Sequence, residues 1–331
     1  MIRIAQFGAG RIGQVHGPNL AASSRFELVG VSDPVQAPAD ALAADLGCSV
    51  LTPEEIFADD SIEAVLIASS TDTHAELIEA AVRAGKAAFC EKPIHLDSGR
   101  ARECLSVVNE HSGRLAMGFN RRYDPNFAEL KAKLDAGRIG TTEMVSIISH
   151  DAEPPWPEYV KVSGGLYRDM MIHDFDIARW LLDEEPIQVY ASGSVLIDPA
   201  IGEAGDVDSA MVIMRTASGK LCHINCSRRN AGGYDQRVEV HGSEGKLLLD
   251  NVSSNTVSVA GAGDTRVDPP PNFFVERYAD SYRLELDEFA DGIESGDFKS
   301  PTGSDGLNAL LLADAATTSS QTGQPVAVQL V

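Results

Sequence analysis

Basic residues, paired cysteines and long apolar runs are all scarce in this sequence, and each shortage excludes a class of protein. The 331 residues include 27 Lys and Arg against 49 Asp and Glu, a formal net charge of −22. Nucleic acids and anionic membrane surfaces attract basic proteins, so we expect neither as a partner. No apolar run approaches the roughly 20 residues that a membrane-spanning helix needs. The acidic excess is instead typical of a protein that its charge keeps in solution.

The cysteines do not form a disulfide or metal-binding framework. There are five, an odd number without C-x-x-C spacing: Cys48, Cys90, Cys104, Cys222 and Cys226. We therefore predict reduced thiols in the core and no bound metal. The N-terminal "MIRIAQFGAG" leads at once into a strand pattern and lacks the basic and apolar segments of a signal peptide, which favours a cytoplasmic location.

The length of the chain and a change of pattern along it predict two domains. A single core seldom extends over 331 residues. In residues 1–119, continuous apolar runs such as "IRIAQF" and "AVLIASS" alternate with helical segments, among them 12–23 and 98–111. This alternation predicts an α/β Rossmann domain with a parallel, doubly wound sheet.

Residues 120–331 predict an α+β domain with a largely antiparallel, open sheet. After a helix near Pro125–Ala136 come alternating strand patterns joined by short turns: "EMVSIISH", "PIQVYASGSVL", "SAMVIMRT", "KLCHINCS", "RVEVHG", "KLLLD" and "TVSVA". The helix that contains His173 and another near Tyr278–Ser295 are expected to cover one face. The other face would expose Met, Ile and Cys side chains of "AMVIMRT" and "KLCHINCS", so we predict a homo-oligomer.

A glycine-rich turn after the first strand predicts a dinucleotide site. "GAGRIG" is a G-x-G-x-x-G between a strand and a helix, the context that this motif requires. Gly8 allows the tight turn, Gly10 the approach of a pyrophosphate, and Gly13 the close packing of the helix on the strand. Asp33 comes 20 residues after Gly13 and can accept hydrogen bonds from the adenosine ribose. Because no Lys or Arg follows it to hold a 2′-phosphate, the sequence favours NAD over NADP.

Charged groups at the end of an apolar strand indicate a ligand site. "FCEKP" ends a buried strand pattern with Glu91 and Lys92. In open parallel sheets, ligands bind beyond the carboxyl ends of the strands. We expect these two side chains either to face the ligand or to form a surface ion pair.

Ionisable groups also interrupt the apolar segment "GGLYRDMMIHDFDIARWLLD". From Arg168 onward its pattern predicts one helix that is apolar nearly all the way round, and such helices are usually buried. Asp169, His173 and Asp176 nevertheless fall at i, i+4 and i+7 on one side. Burying such groups costs several kcal/mol unless they are paired or their pKa values shift. We therefore interpret this side of the helix as a functional site.

Together these segments resemble the Gfo/Idh/MocA family of oxidoreductases over essentially the whole chain. "GAGRIG", "EKP" and D-x-x-x-H carry the resemblance, and "FGAGRIGQVH", "GFNRRYDPNFAELK" and "VSGGLYRDMMIHDFDIARWLL" resemble bacterial inositol 2-dehydrogenases within that family. The resemblance implies that Lys92, Asp169 and His173 face the nicotinamide across a cleft between domains. His173 is then the general base, Asp169 orients its imidazole or contacts substrate, and Lys92 stabilises alkoxide character.

The motif and the resemblance also predict the binding residues. Those expected to bind the cofactor are Gly8, Gly10, Arg11, Ile12, Gly13, Asp33, Ser69, Thr71, His74, Glu91, Lys92 and Arg122. Those expected to bind the substrate are Lys92, Arg121, Trp156, Asp169, His173, Asp176, Tyr234 and Tyr282. Some alternatives stay open: Asp72 or Thr73 as a plain helix N-cap, the arginines as partners of acids, and "EPPWPEY" as a packed loop rather than a substrate-side loop.

The reaction implied by the resemblance is the NAD-dependent oxidation of a cyclitol, myo-inositol to 2-keto-myo-inositol (scyllo-inosose). Another inositol isomer or a pyranose sugar would suit the same groups. Two other classes remain: an NAD-using glycosidase, which would produce no net NADH, and a non-catalytic NAD-binding sensor, which would not need Lys92, Asp169 and His173 together. The resemblance further implies a tetramer.

Overall fold

The computed structural model describes residues 1–299 and 301–331, which form two compact units. Each unit combines two segments of the chain: Met1–Tyr123 with Asp280–Leu310, and Asp124–Ala279 with Leu311–Val331. A single division after residue 119 would instead leave Asp280–Leu310 in the second domain. None of the described helices is both long and apolar enough to cross a membrane.

Strands and helices alternate in the first 123 residues. In chain order they are β1 (Ile2–Phe7), α1 (Gly13–Ala22), β2 (Phe26–Ser32), α2 (Gln36–Leu46), β3 (Ser49–Val50), α3 (Pro53–Ala58), β4 (Ala64–Ile67), α4 (Thr71–Arg83), β5 (Ala87–Glu91), α5 (Ser98–Glu110) and β6 (Leu115–Gly118), followed by a 3₁₀ turn at Asn120–Tyr123. The strands form one parallel sheet in the order β3-β2-β1-β4-β5-β6. The predicted parallel Rossmann sheet is therefore confirmed.

Local sequence accounts for the ends of two of these helices. α2 stops at Gly47, whose left-handed φ of 69° suits a residue without a side chain. α3 begins with a capping box, in which the Thr52 hydroxyl accepts from the Glu55 amide and the Glu55 carboxylate accepts from the Thr52 amide. Both ends are thus determined by residues within the helix or next to it.

The remaining elements in the described part of the chain are nine strands and eight helices. They are α6 (Pro125–Asp135), β7 (Thr142–His150), α7 (Pro157–Ser163), α8 (Gly165–Asp169), α9 (Ile172–Leu182), β8 (Pro186–Ser194), α10 (Pro199–Glu203), β9 (Ser209–Thr216), β10 (Leu221–Ser227), β11 (Asp235–Gly242), β12 (Gly245–Leu249), β13 (Ser258–Ala260), β14 (Thr265–Val267), α11 (Phe274–Arg277), α12 (Ala279–Ser295), α13 (Gly303–Thr322) and β15 (Val326–Ala327).

Seven strands form the sheet of the second unit, in the order β12-β11-β7-β10-β9-β8-β15. β7 and β10 run parallel and the other neighbours antiparallel, which confirms the largely antiparallel sheet. A strand does form within "TVSVA", as predicted, but its expected place in the main sheet was wrong. It is β13, which pairs with β14 in a separate two-stranded ribbon, because the long turn after β12 takes it away from the main sheet.

One of the two helices expected to cover this sheet does so. α9 packs on β7 and β10 in the second unit. α12, the other, belongs to the first unit, where Phe289 packs against Phe26 and Phe89 with ring centroids 6.3 and 5.7 Å apart. The expectation for α12 was wrong because an apolar helix face does not specify which sheet it will cover.

The face of the second sheet opposite α9 carries exposed apolar side chains. Met211 and Ile213 on β9 are about half exposed, at 55% and 51%. Cys222 and Cys226 were also expected on this face, but both are buried, since the strand alternation places them on the covered side.

Candidate active site

The glycine turn between β1 and α1 has the geometry that its motif requires. Gly8 has a φ of 99°, and a Cβ there would lie 2.3 Å from the Ala68 carbonyl oxygen. A Cβ on Gly13 would lie 2.2 Å from the Gly8 carbonyl oxygen. At Gly10, by contrast, a Cβ would meet no described atom within 4 Å. Gly8 and Gly13 are thus needed by the turn itself, whereas Gly10 borders open space that a phosphate could enter.

A buried glutamine that the sequence analysis missed holds this turn together. The Gln6 amide nitrogen donates to the carbonyl oxygens of Gly8 and Gly13, at 2.8 and 2.9 Å. Gln6 lies on β1 and is fully buried. The only signal in the sequence was a polar residue close to the glycine motif in the mostly apolar run "IRIAQF", which also contains Arg3.

Asp33 follows β2 and binds backbone amides of the same turn region. Its two carboxylate oxygens accept from the amides of Ala9 and Val35, both at 2.8 Å. A carboxylate oxygen can accept more than one hydrogen bond, so ribose hydroxyls can still bind there. The N-cap residue of α1, Ile12, makes no side-chain capping hydrogen bond, and Arg11 beside it is exposed. This donor set and the space at Gly10 fit a dinucleotide.

The end of β4 is joined to the segment after β5 by His74. Its Nδ1 lies 2.7 Å from the Pro93 carbonyl oxygen and its Nε2 lies 3.1 Å from that of Ser69. Burial lowers the pKa of His74, which favours a neutral imidazole that donates to one of the two oxygens. Ser69 and Thr71, also expected at the cofactor, flank the start of α4 and are half-buried.

The helix cap at α4 differs from both alternatives. Ser70 is the N-cap and its side chain makes no capping hydrogen bond, so neither Asp72 nor Thr73 has that position. Thr73 instead shares a 2.6 Å hydrogen bond with the Ser69 hydroxyl and donates to the Ser70 carbonyl. Thr73 lies four residues after Ser69 and three after Ser70, so one helical turn brings its hydroxyl within reach of both.

Glu91 is the last residue of β5, and Lys92 is half-buried beside it. The Glu91 side chain is buried, which contradicts the alternative of an ion pair on the surface. It accepts from His16 Nε2 at 2.8 Å and lies over Gly118, the neighbouring residue on β6.

Arg121 and Arg122 lie in the 3₁₀ turn after β6, in the first unit, and both are buried. Arg122 pairs with Asp305 at 3.0 Å, as one of the two alternatives held. Tyr282, on α12 of the same unit, packs edge-on against the His16 ring, with centroids 5.5 Å apart.

In the second unit, Asp169 and His173 do not share one continuous helix. The prediction of a single helix from Arg168 onward was wrong: α8 ends at Asp169 and α9 begins at Ile172. The Met171 amide bonds to the Leu166 carbonyl, five residues back, and the His173 amide to that of Met170, three residues back. This change in hydrogen-bond spacing breaks the i→i−4 ladder, a feature often seen at functional sites.

Asp169 is held by groups that the sequence analysis did not identify. The Tyr159 hydroxyl donates to its Oδ1 at 2.9 Å, and Arg228 Nη1 lies 3.6 Å from its Oδ2. Arg228 is buried, and its Nη2 lies 3.8 Å from Asp206. Asp206 in turn accepts from the Leu166 amide at the start of α8, and burial raises its pKa.

The other predicted substrate residues have different surroundings. Asp176 on α9 is buried, as is Tyr234, whose ring lies 6.0 Å from that of Tyr278. "EPPWPEY" is not wholly a loop: Trp156 is the N-cap of α7, because Pro157 suits the first position of a helix. Trp156 is exposed, and its ring centroid lies 6.2 Å from that of Tyr159.

Four cysteines are buried, whereas Cys48 is half-buried, and all five are free thiols. Burial raises the pKa of Cys104 to about 12. Such thiols are poor nucleophiles at neutral pH.

Comparison with known proteins extends these observations to the whole chain. Residues 2–119 match the model of an oxidoreductase family with an NAD-binding Rossmann fold, and residues 127–248 match a GFO/IDH/MocA C-terminal domain. The chain belongs to the Gfo/Idh/MocA family.

Individual relatives in this family align with nearly the whole length of this chain. An inositol 2-dehydrogenase of Rhizobium meliloti strain 1021 is 50% identical over 96% of both chains. The structure of a myo-inositol dehydrogenase from Corynebacterium glutamicum is 43% identical, with a TM-score of 0.95 over 100% of both chains. A scyllo-inositol dehydrogenase from Lactobacillus casei, solved with NAD(H) and scyllo-inositol, is 28% identical, with a TM-score of 0.92 over 99% of this chain and 99% of that one. The protein is an NAD-binding oxidoreductase of this family, as the sequence predicted.

Proposed function

We propose that this protein oxidises myo-inositol to 2-keto-myo-inositol and passes the hydride to NAD. The observation that carries the proposal is the 50% identity, over 96% of both chains, with an inositol 2-dehydrogenase. Lys92, Asp169 and His173, the groups that such a reaction needs, are all present. Two scyllo-inositol dehydrogenases among the relatives are 35% and 28% identical, so both are less similar to this chain than the 50% identical inositol 2-dehydrogenase is.

His173 is the general base of the proposed reaction. When bound, NAD would supply the acceptor for the hydride that leaves the carbon carrying the hydroxyl. An imidazole changes its protonation near neutral pH and so can take the hydroxyl proton as the hydride leaves. Asp169 orients the imidazole and favours its charged form, since Tyr159 and Arg228 hold the carboxylate. Lys92 stabilises the negative charge that develops on the oxygen.

The remaining binding roles are proposed as the sequence indicates them. The cofactor is bound by the backbone around Gly8, Gly10, Arg11, Ile12 and Gly13, and by Asp33, Ser69, Thr71, His74, Glu91, Lys92 and Arg122. The cyclitol is bound by Lys92, Asp169 and His173 together with Arg121, Trp156, Asp176, Tyr234 and Tyr282. The space at Gly10 and the Asp33 carboxylate support the first set most directly.

We further propose a cytoplasmic homotetramer with domains at 1–119 and 120–331. The exposed Met211 and Ile213 support the oligomer, because apolar patches on a sheet commonly mark an interface. The two family-model matches, which end at 119 and start at 127, support the domain division.

A substrate panel tests the proposal. The purified protein is incubated with NAD or NADP and with inositol isomers, pyranose sugars or aryl glycosides, while NADH fluorescence and released aglycone are recorded. We expect NADH with myo-inositol and NAD, and much less reduced cofactor with NADP. Aglycone release without NADH would instead indicate a glycosidase, and NAD binding without any turnover a sensor.

A further inference from the structure

A buried cluster of three ionisable side chains lies in the first unit. His16 on α1, Glu91 on β5 and Glu285 on α12 bring one donor atom each within 4.8 Å of one another. His16 Nε2 is 2.8 Å from Glu91 Oε1 and 3.9 Å from Glu285 Oε1. The proposed reaction assigns no role to His16 or Glu285.

Only one member of the cluster reaches the protein surface. The side chains of His16 and Glu285 are 0% exposed, whereas that of Glu91 is 9% exposed. The aromatic rings of Phe89 and Tyr282 close the cluster, each edge-on to His16 with centroids 5.5 Å apart. Any effect of the cluster on a ligand therefore passes through Glu91, the residue before Lys92.

The surroundings of Glu285 favour its neutral form. Neither of its oxygens has a hydrogen-bond partner among the described residues. Burial and the nearby Glu91 raise the pKa of Glu285 well above its usual range, which favours the protonated carboxyl group.

The contacts of His16 favour a proton on Nε2, where it is donated to Glu91. Its Nδ1 meets no partner in the described part of the chain, so a second proton there would gain no hydrogen bond. With the His16 Nε2 proton donated to Glu91 and Glu285 favoured in its neutral form, the negative charge of the cluster lies on the carboxylate of Glu91.

The spacing within the cluster is that of a hydrogen bond rather than of metal ligands. Two ligands of a tetrahedral zinc ion, each about 2.0–2.1 Å from the metal, lie roughly 3.3 Å apart. The 2.8 Å between His16 Nε2 and Glu91 Oε1 is shorter and suits a shared proton. Gly118 leaves room for this arrangement, since a Cβ there would lie 3.0–3.1 Å from the Glu91 carboxyl atoms.

We propose that this cluster presents a single negative charge, on Glu91, which makes the site bind the oxidised, positively charged nicotinamide in preference to the reduced, neutral one. His16 is a positioning residue that holds the carboxylate, and Glu285 contributes a carboxyl group without its charge. The inference rests on the proposed function, because it requires NAD to bind with its nicotinamide beside "EKP".

Dissociation constants for NAD⁺ and NADH, measured by titration calorimetry at pH 7.5, test the charge. For Glu91→Gln we expect a roughly three- to tenfold weaker affinity for NAD⁺ and less than a twofold change for NADH, as for one partly screened unit charge. His16→Leu should act in the same direction, and His16→Gln, which keeps a donor, should restore much of the preference. Glu285→Gln should leave both constants within twofold.

The pH dependence of unfolding of the cofactor-free protein tests the charge state separately. A group whose pKa is raised on folding loses its stabilising effect as the pH rises above the unfolded pKa, towards the folded one. Glu285→Gln should therefore unfold at a higher temperature than the parent at pH 8.5, with a smaller difference at pH 5.5. The gain is at most about tenfold in the unfolding constant per pH unit. Glu288→Gln, on the same helix but partly exposed, should show no such trend.

Three results would overturn the inference. Glu91→Gln could weaken NAD⁺ and NADH equally, Glu285→Gln could be less stable than the parent at pH 8.5, or Zn²⁺ or Mn²⁺ could raise the unfolding temperature of the parent but not of Glu285→Gln. If the parent binds neither form of the cofactor, the proposed function fails instead, and the unfolding data still report the charge state of Glu285.

Discussion

Asp169 shows how much of this chemistry depends on single side chains that the sequence pattern did not identify. Its carboxylate accepts from the Tyr159 hydroxyl and lies beside the buried guanidinium of Arg228. Both contacts stabilise the ionised, oriented carboxylate that the proposed role beside His173 requires. Tyr159 and Arg228 are therefore positioning residues in this proposal.

Tyr159→Phe should lower turnover without unfolding the protein. Removing one hydrogen bond to a charged group costs about 1.5–3 kcal/mol in its strength, which corresponds to a roughly ten- to hundredfold loss of kcat. His173→Ala, which removes the base, should cost more. KM for NAD and the unfolding temperature of Tyr159→Phe should change little. Tyr190→Phe, on the sheet face opposite α9, is the control, and its kcat, KM for NAD and unfolding temperature should all stay close to those of the parent. An unchanged kcat would show that Tyr159 does not position Asp169.

Asp33→Ala should weaken the binding of NAD more than the binding of NADP. The change removes the ribose acceptor but also the repulsion of a 2′-phosphate, so the ratio of KM for NADP to KM for NAD should fall about tenfold. The apo protein should lose about 1–2 kcal/mol of unfolding free energy, because the Ala9 and Val35 amides lose their acceptor. Asp45→Ala, an exposed acid on α2, serves as the control. Equal losses with both cofactors would contradict a ribose contact.

At the scale of elements, the turn between β1 and α1 separates two reasons for having glycine. Gly13 has no room for a Cβ, since the Gly8 carbonyl oxygen would be 2.2 Å away. Gly10 has room for one within the protein and is needed only if a ligand approaches it. The motif alone did not separate these reasons.

Gly10→Ala should therefore fold normally and bind NAD poorly. We expect its free energy of unfolding to stay within about 1 kcal/mol of the parent and its dissociation constant for NAD to rise at least about tenfold. Gly13→Ala, the matched comparison, should lose stability as well. Calorimetric titration and thermal unfolding measure both quantities. Tight NAD binding by Gly10→Ala would place the pyrophosphate elsewhere.

Elements were predicted well where their signals are local. α6 and α12 begin and end within a residue or two of the expected bounds. The break between α8 and α9 was missed because it arises from backbone hydrogen bonds of Met171 and His173 rather than from a glycine or proline at that point. The long helix α13 was also missed.

At the scale of the whole molecule, the open sheet face of the second unit is the surface that we expect to form the interface of the proposed oligomer. Across this face, Tyr190 pairs with Ile213, which pairs with His223 on the next strand. Tyr190, Met211 and Ile213 are all more than two-fifths exposed in one chain. A second copy would remove these side chains from water at a gain of about 25 cal/mol per Å².

Ile213→Glu should dissociate the proposed oligomer. A carboxylate on each copy would have to lose its water on association, which costs several kcal/mol. Light scattering coupled to size-exclusion chromatography should show a smaller particle than the parent. Val35→Glu, at a similarly exposed apolar position in the first unit, should leave the particle size unchanged. A tetramer of Ile213→Glu would place the interface on another surface.

The sequence by itself determined the class of the two sheets, the glycine turn with Asp33 and the "EKP" strand end, because each depends on residues close together in the chain. The tertiary structure decided which sheet α12 covers and which side chains hold Asp169 and Glu91. His16 and Glu91 are 75 residues apart. Arg168 donates from its Nε to Asp314 Oδ1 at 2.7 Å, and these two residues are 146 apart. Contacts over such separations depend on how whole elements pack, and no local periodicity encodes that packing.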